Sequence, residues 1–294
     1  MEFFMTKNSL FTAFRKLAKL FSGHGFRDRI PFIDKVYQRI NKNLAPATAE
    51  VHGYTMYLDK GDSMGLSLNG VYEPEETALV KKYIKPGFII LDLGANIGYY
   101  SLLFSKLVGP DGKVFAFEPD PMSFRLLQQN IEKNNCSNIH AFQKAVSNKN
   151  SKAVLHRDRF NNLDHRIIES DQECTNLDIE VVRLDDFLTP YFNGAVNLVK
   201  MDIQGAEGMA FEGMEKLLAK SEQLIIFTEY WPMNLEKTDV GAKAYLMKLD
   251  QMGFLIYDLN EVDGSLKEVT VEDLLSEYPI NNIEQTNLLC IKGQ

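Results

Sequence analysis

"FIILDLGANIGYY", residues 88–100, decides how the chain is read. Four apolar residues lead into Asp92, and a small-residue turn of Gly94, Ala95, Asn96, Ile97 and Gly98 follows. A short apolar run with a glycine turn behind it is the signature of a buried strand feeding a helix. Gly94 and Gly98 let the backbone pass close to a ligand, and Gly98 opens a helix whose free amides suit a polar ligand group.

Working outward, the same rhythm repeats. "EPEETALVKKYI" before the turn has acids in its first turn and lysines near its end, and the Pro86-Gly87 stop follows, so it predicts a helix. After it, strands are expected at "KVFAFE", "IHAFQKAV", "IEVVRL", "VNLVKMD", "QLIIFTEY", "FLIYDL" and "TNLLCIK". Helices are expected at "PMSFRLLQQNIEKNN", "AEGMAFEGMEKLLA" and "GAKAYLMKLDQM", and a polar stretch at 147–178 interrupts the pattern. Alternation of this kind predicts an α/β fold, a mostly parallel Rossmann-like sheet with helices on both faces.

Composition narrows the classes. The 294 residues are 45% hydrophobic with a net charge of -8, enough for a real core and unlike a general nucleic-acid binder. Cys136, Cys174 and Cys290 are odd in number and widely spaced, which fits neither a disulfide framework nor a metal site and suggests a cytoplasmic protein. No stretch approaches the roughly 20 apolar residues of a membrane span. Residues 1–30 hold six basic and two acidic side chains, a net of +4, which leaves -12 for the rest. Residues 1–70 are therefore expected to form an N-terminal helical and β appendage, with residues 71–294 as the ligand-binding domain. Within the appendage, residues 9–21 place Leu10, Phe11, Phe14, Leu17, Ala18 and Phe21 on one helical face. That face suits a lid or an oligomer contact; peripheral contact with an anionic membrane is the less favoured reading.

Open parallel sheets bind ligands at the carboxyl ends of their strands, so Asp92, Glu118, Lys144, Asp202 and Glu229 are the residues to watch. Glu118 ends the strand after the turn, 24 residues beyond Gly94, where nucleotide-binding sheets place an acid on ribose hydroxyls. "GANIG" is not the G-x-G-x-x-G of dinucleotide sites, and a pyrophosphate would sit badly beside Asp92. S-adenosylmethionine, with an ammonium, a sulfonium and an adenosine, suits that acid better.

The stretch "LDLGANIGYYSLLFSKLVGPDGKVFAFEPDPMSFRLLQQNI" closely resembles the FkbM family of S-adenosylmethionine-dependent methyltransferases. "MYLDKGDSMGLSLNGVYEPEET", "KAVSN", "VRLDDFL" and "VNLVKMDIQGAEGMAFEGM" resemble further family motifs in order, over roughly residues 52–230. The resemblance implies a class I methyltransferase fold, with the last strand antiparallel, acting on a hydroxyl of a sugar, glycolipid or polyketide-like metabolite. By resemblance and position, Asp92, Gly94, Ala95, Asn96 and Gly98 are expected to hold the methionine end and Glu118 and Pro119 the ribose. Ala145 and Val146 flank the adenine, and Tyr72 and Glu73 touch cofactor or acceptor. Asp202 is the first choice for base or orienting group, and it contributes to the cofactor site as well; Gln204, Glu207 and Glu229 surround it as candidate catalytic residues. Gln204 stands where the family usually has glutamate, and Lys144 where many methyltransferases place an acid or asparagine.

Several roles stay open. Glu207 equally suits helix N-terminal charge compensation. Asp185 and Asp186 are better read as turn or cap residues. His156 and His165 are ordinary surface histidines or candidate bases. Asp202 and Glu229 sit at neighbouring strand ends where catechol-type enzymes place metal ligands, and the use of a divalent cation is left open. The alternatives to a methyltransferase are an NAD(P)-dependent oxidoreductase and a cofactor-binding module that has lost catalysis.

Overall fold

The computed structural model describes residues 46–158, 165–166, 174–281 and 283–293. The amphipathic segment 9–21 lies outside them. The chain divides between Tyr72 and Glu73 into two compact units. Among the described residues of the first, β1 (Thr48–Val51) and β2 (Tyr54–Tyr57) pair antiparallel, and α1 (Leu66–Asn69) follows. Asp62 fixes the start of α1, its two carboxylate oxygens accepting from the amides of Leu66 (2.8 Å) and Ser67 (2.9 Å).

The second unit begins with α2 (Pro74–Tyr83), β3 (Ile89–Leu93), α3 (Tyr99–Val108), β4 (Lys113–Phe117), α4 (Pro121–Lys133) and β5 (Ile139–Phe142). Next come β6 (Ala145–Val146), β7 (Ser151–Asp158), β8 (His165–Arg166), β9 (Cys174–Val182), α5 (Leu184–Phe187) and β10 (Leu198–Met201). It ends with α6 (Glu207–Glu212), α7 (Glu215–Ala219), β11 (Leu224–Tyr230), α8 (Pro232–Leu235), α9 (Ala242–Gln251), β12 (Leu255–Leu259), β13 (Leu266–Val269), α10 (Val271–Glu277) and β14 (Thr286–Lys292). Eight strands form the main sheet in the order β13-β12-β14-β11-β10-β3-β4-β5. β5, β4, β3, β10 and β11 run parallel, and β14 inserts antiparallel between β11 and β12. The α/β class and the antiparallel last strand expected from the sequence are both present.

Local departures have physical causes. "IHAFQKAV" is not one strand: the Lys144 amide turns back onto the Phe142 carbonyl (2.9 Å), and Ala145–Val146 leave to pair with β9 in a second, four-stranded sheet. Part of the polar stretch 147–178 is a ladder of that sheet, β7 against β9, over a small core of Ala145, Leu155, Ile179 and Val181. The helix expected over 206–219 is broken in two after Gly213, where Met214 leaves the helical conformation at φ -130°; a Cβ on Gly213 would lie 2.0 Å from the Ser147 carbonyl oxygen. β13 and α10 had no counterpart in the sequence pattern, although α10 carries a full capping box from Thr270 and Asp273.

Register sets the faces. Lys200 pairs with Asp92 on one side and with Phe227 on the other. Side chains alternate along a strand, so Asp92, Lys200, Asp202, Phe227 and Glu229 share one face. Leu91, Leu93, Val199 and Met201 fill the opposite face, packed in the main core with Phe211 and Leu217.

Candidate active site

Two structures meet at the carboxyl ends of β3, β4, β10 and β11. The first is the turn between β3 and α3, built almost wholly by backbone hydrogen bonds. The amides of Gly94 and Ala95 both donate to the Phe117 carbonyl (2.9 and 3.0 Å). Gly94 has φ 85°, and a Cβ on it would lie 2.0 Å from the Asp202 carbonyl oxygen, so only glycine fits. Asn96 is left-handed at φ 49°, a conformation asparagine tolerates, and its amide donates to Glu118 Oε2 (2.8 Å). The other Glu118 oxygen accepts from the Asp120 amide (2.8 Å), and Pro119 is half-buried between them. Gly98 caps α3 at φ 96°, packed against Leu127. Burial pushes the Glu118 carboxyl up to about 8, against the pull of its two amides. Asp92 is buried, accepts from the Ser101 hydroxyl, and is pushed up to about 6 by the same desolvation.

The second structure is a layer of charged side chains under α2. Lys200 Nζ lies 2.8 Å from Glu76 Oε1, both side chains almost wholly buried, and 4.7 Å from the centre of the Tyr100 ring. Burial works against the Lys200 charge, yet Glu76, Glu73 and Asp202 outweigh it and raise its pKa. Glu73, at the N-cap of α2 with φ 43°, accepts from the Tyr100 hydroxyl (2.9 Å) and is pushed up to about 8, first by burial and then by facing Glu76 and Asp202. Asp202 follows β10; its amide donates to the Leu93 carbonyl (3.1 Å) and its Oδ1 accepts from Gln204 Nε2 (2.9 Å). Glu229, one residue before the end of β11, is buried, and its Oε2 has no hydrogen-bond partner among the described residues. Burial and the nearby Asp202 and Glu207 hold its pKa well above the ordinary carboxylate range.

The other sequence candidates divide. Both oxygens of Glu207 are taken by loop amides, Ile203 and Gly205 (2.9 Å each), so its contacts are those of a group fixing the turn before α6. Gln204, left-handed at φ 57°, orients Asp202 and accepts weakly from Asn234 Nδ2 (3.4 Å). Ala145 and Val146 are buried in β6, at the start of the second sheet. Lys144 pairs with Glu180 of that sheet. Asp185 caps a helix distant in sequence, accepting from the Leu217 amide (2.8 Å) at the start of α7. His156 lies on β7 with Nδ1 3.0 Å from Asn176 Oδ1, and His165 forms β8. Among the described residues no three His, Cys, Asp or Glu side chains are grouped to hold a metal ion, and Asp202 with Glu229 gains no third ligand.

Sequence reasoning passed over Lys200, Glu76 and Tyr100. A signal for Lys200 was present: a lone lysine inside "VNLVKMD" is a charge in the middle of a buried strand and demands a partner. The partner itself, 124 positions earlier, carries no such mark.

A family model described as the methyltransferase FkbM domain matches residues 92–256, more than half of the chain. A Beauveria bassiana protein named methyltransferase 1 is 31% identical over 145 residues, 43% of this chain and 58% of that one. The 2-O-methyltransferase NoeI of Sinorhizobium fredii is 26% identical over 220 residues, 67% of this chain and 87% of that one. The 31-O-demethyl-FK506 methyltransferase FkbM of Streptomyces tacrolimicus is 25% identical over 161 residues, 45% and 61% of the two chains. The aligned part thus spans less than two thirds of the Beauveria and Streptomyces proteins and most of the Sinorhizobium one.

Proposed function

The chain belongs to the FkbM methyltransferase family, and from that premise we propose that it transfers the methyl group of S-adenosylmethionine to a hydroxyl of a small acceptor: a sugar, glycolipid or polyketide-like metabolite. The observation that carries this reading is the charge balance of the layer. Among the described residues, Glu73, Glu76, Asp92, Asp202 and Glu229 surround one cation, Lys200, which Glu76 already claims. Such a site is complementary to a cationic ligand and ill suited to a pyrophosphate.

When bound, the sulfonium supplies an activated methyl group that needs only alignment with its acceptor. In this reading Asp92 and the turn Gly94, Ala95, Asn96 and Gly98 hold the amino-acid end of the cofactor. Glu118 and Pro119 hold the ribose, Ala145 and Val146 border the adenine, and Glu73 closes the charged end. Asp202, fixed by Gln204, orients the acceptor. Glu229, whose buried Oε2 has no hydrogen-bond partner among the described residues, takes the proton from the acceptor hydroxyl when it is in its ionised form. No divalent cation is assigned a role.

Residues 1–70 form the appendage in this scheme, with 9–21 as a lid or oligomer contact in preference to a membrane contact. A reducing, cytoplasmic setting agrees with Cys136 and Cys290, both buried and unbridged. No nucleic-acid partner is proposed.

Calorimetric titration with S-adenosylmethionine, S-adenosylhomocysteine and NADH tests the reading. The first two should bind, and Asp92→Ala should abolish that binding. Asp202→Ala and Glu229→Gln should keep it while turnover on a competent acceptor falls about 100-fold. Binding of NADH alone would return the oxidoreductase alternative.

A further inference from the structure

We propose that the carboxylates on the α2 face of the sheet act as a proton store tied to the charge on the cofactor's sulfur, releasing protons when a sulfonium binds and keeping them beside a thioether. The proposal rests on the methyl-donor reading above.

The geometry is that of many acids facing one site from separate elements. α2 brings Glu73 and Glu76, β3 brings Asp92, and α3 brings the Tyr100 and Ser101 hydroxyls. β10 and its end bring Lys200 and Asp202, the start of α6 brings Glu207, and β11 brings Glu229. Glu261, from the turn between β12 and β13, bears on Glu76, and Glu118 faces Asp92. Lys200 is the one cation of the group among the described residues, and its contacts go to Glu76 and the Tyr100 ring.

Glu73 and Asp92 are the working members. Each has a hydroxyl donor, Tyr100 for the first and Ser101 for the second, and neither has a cation of its own within ion-pair distance among the described residues. Burial pushes Glu73 up to about 8 and Asp92 up to about 6, so both carry part of a proton near neutrality. A positive charge brought into this poorly solvated layer favours the ionised carboxylates and expels those protons. A neutral sulfur leaves them in place. Methylation of a hydroxyl breaks its O–H bond, forms an O–CH3 bond and leaves the S–CH3 electron pair on sulfur, so one proton appears as one positive charge vanishes. A carboxylate of the layer takes up that proton, and the charge of the site stays constant until the product leaves.

The test is calorimetric titration of the full chain with S-adenosylmethionine and S-adenosylhomocysteine, each in phosphate and in imidazole, whose ionisation heats differ. Work at about pH 6.5 keeps the α-ammonium of both ligands charged, since such groups titrate near 7.7–8.0. The sulfonium ligand should release about half a proton more than the thioether, and Glu73→Gln should shrink that difference. Equal proton counts for the two ligands would overturn the store while leaving the methyl-donor reading intact. Failure of both ligands to bind would remove the methyl-donor reading and the store with it. The wild-type comparison stands even if the variant does not fold.

Discussion

The turn between β3 and α3 and the charged layer beside it lie at the same end of the sheet and are made in opposite ways. The turn spans residues 92–98 with Glu118 close behind, and its polar groups are matched by backbone amides and carbonyls. The layer draws Glu73, Glu76, Asp92, Lys200, Asp202 and Glu229 from four elements, and its acids outnumber their partners. A turn fixed by backbone hydrogen bonds has its shape set before anything binds. A layer of crowded buried carboxylates has its charge set by what binds it. The pairing suits a ligand that needs one end gripped and the other end matched for charge.

The sharpest way to break the comparison is to damage the layer and spare the turn. Lys200→Met should cost about 4 kcal/mol of unfolding free energy, because Glu76 is left buried without its partner. Lys200→Met combined with Glu76→Leu should recover most of that loss; urea denaturation of both variants checks it. A single-variant cost near zero would mean that the layer is not sealed from water.

The converse damages the turn and spares the charges. Gly94→Ala places a Cβ 2.0 Å from the Asp202 carbonyl oxygen at a backbone angle that alanine resists. It should cost about 3 kcal/mol and lower the melting temperature. Retention of full stability would show that the turn has room to shift.

A third measurement separates the two by pH. In the layer, the Glu73 carboxyl ordinarily titrates near 4.5 and is pushed up to about 8 in the fold. The folded chain therefore binds more protons than the unfolded chain between those values, and stability falls as pH rises through that window. The ligand-free protein should lose on the order of 2 kcal/mol from about pH 5 to about pH 8, read as a falling melting temperature in buffers of matched ionic strength. Rising stability over that range would contradict the burial assigned to these acids. The smallest effect is expected outside both regions: Asp185→Ala removes the cap of α7 and should cost about 1 kcal/mol.

Much of the turn was legible in advance because its requirements are local. Glycine at Gly94 and Gly98 and asparagine at Asn96 reflect left-handed backbone, and the strand-to-helix switch shows in the hydrophobic period. Glu118 was singled out from its spacing and its place at a strand end, and it lies behind the turn, accepting from the Asn96 amide. In the layer, Asp202 and Glu229 were legible as acids at strand ends, but the roles given to their neighbours needed contacts. Glu207 suited a catalytic role and helix N-terminal charge compensation equally, and its hold on two loop amides is a contact that a list of residue types does not reveal. Asp185 looked like a cap for the segment it begins, and it caps the helix starting at Glu215.

By itself the sequence determined the α/β class and the position of the glycine turn after β3, because each is written in periods and residue types a few positions apart; the antiparallel last strand came from the family resemblance. It also carried the family motifs in order. Tertiary structure decided that "IHAFQKAV" divides between two sheets, that the helix after Asp202 breaks at Gly213, and that Lys200 belongs to Glu76. The reason is one of distance along the chain. A period of 2 or 3.6 residues records which face a side chain takes, but not which remote side chain meets it there. Charge balance in a buried layer is the sum of such meetings, and it exists only once the strands are in register.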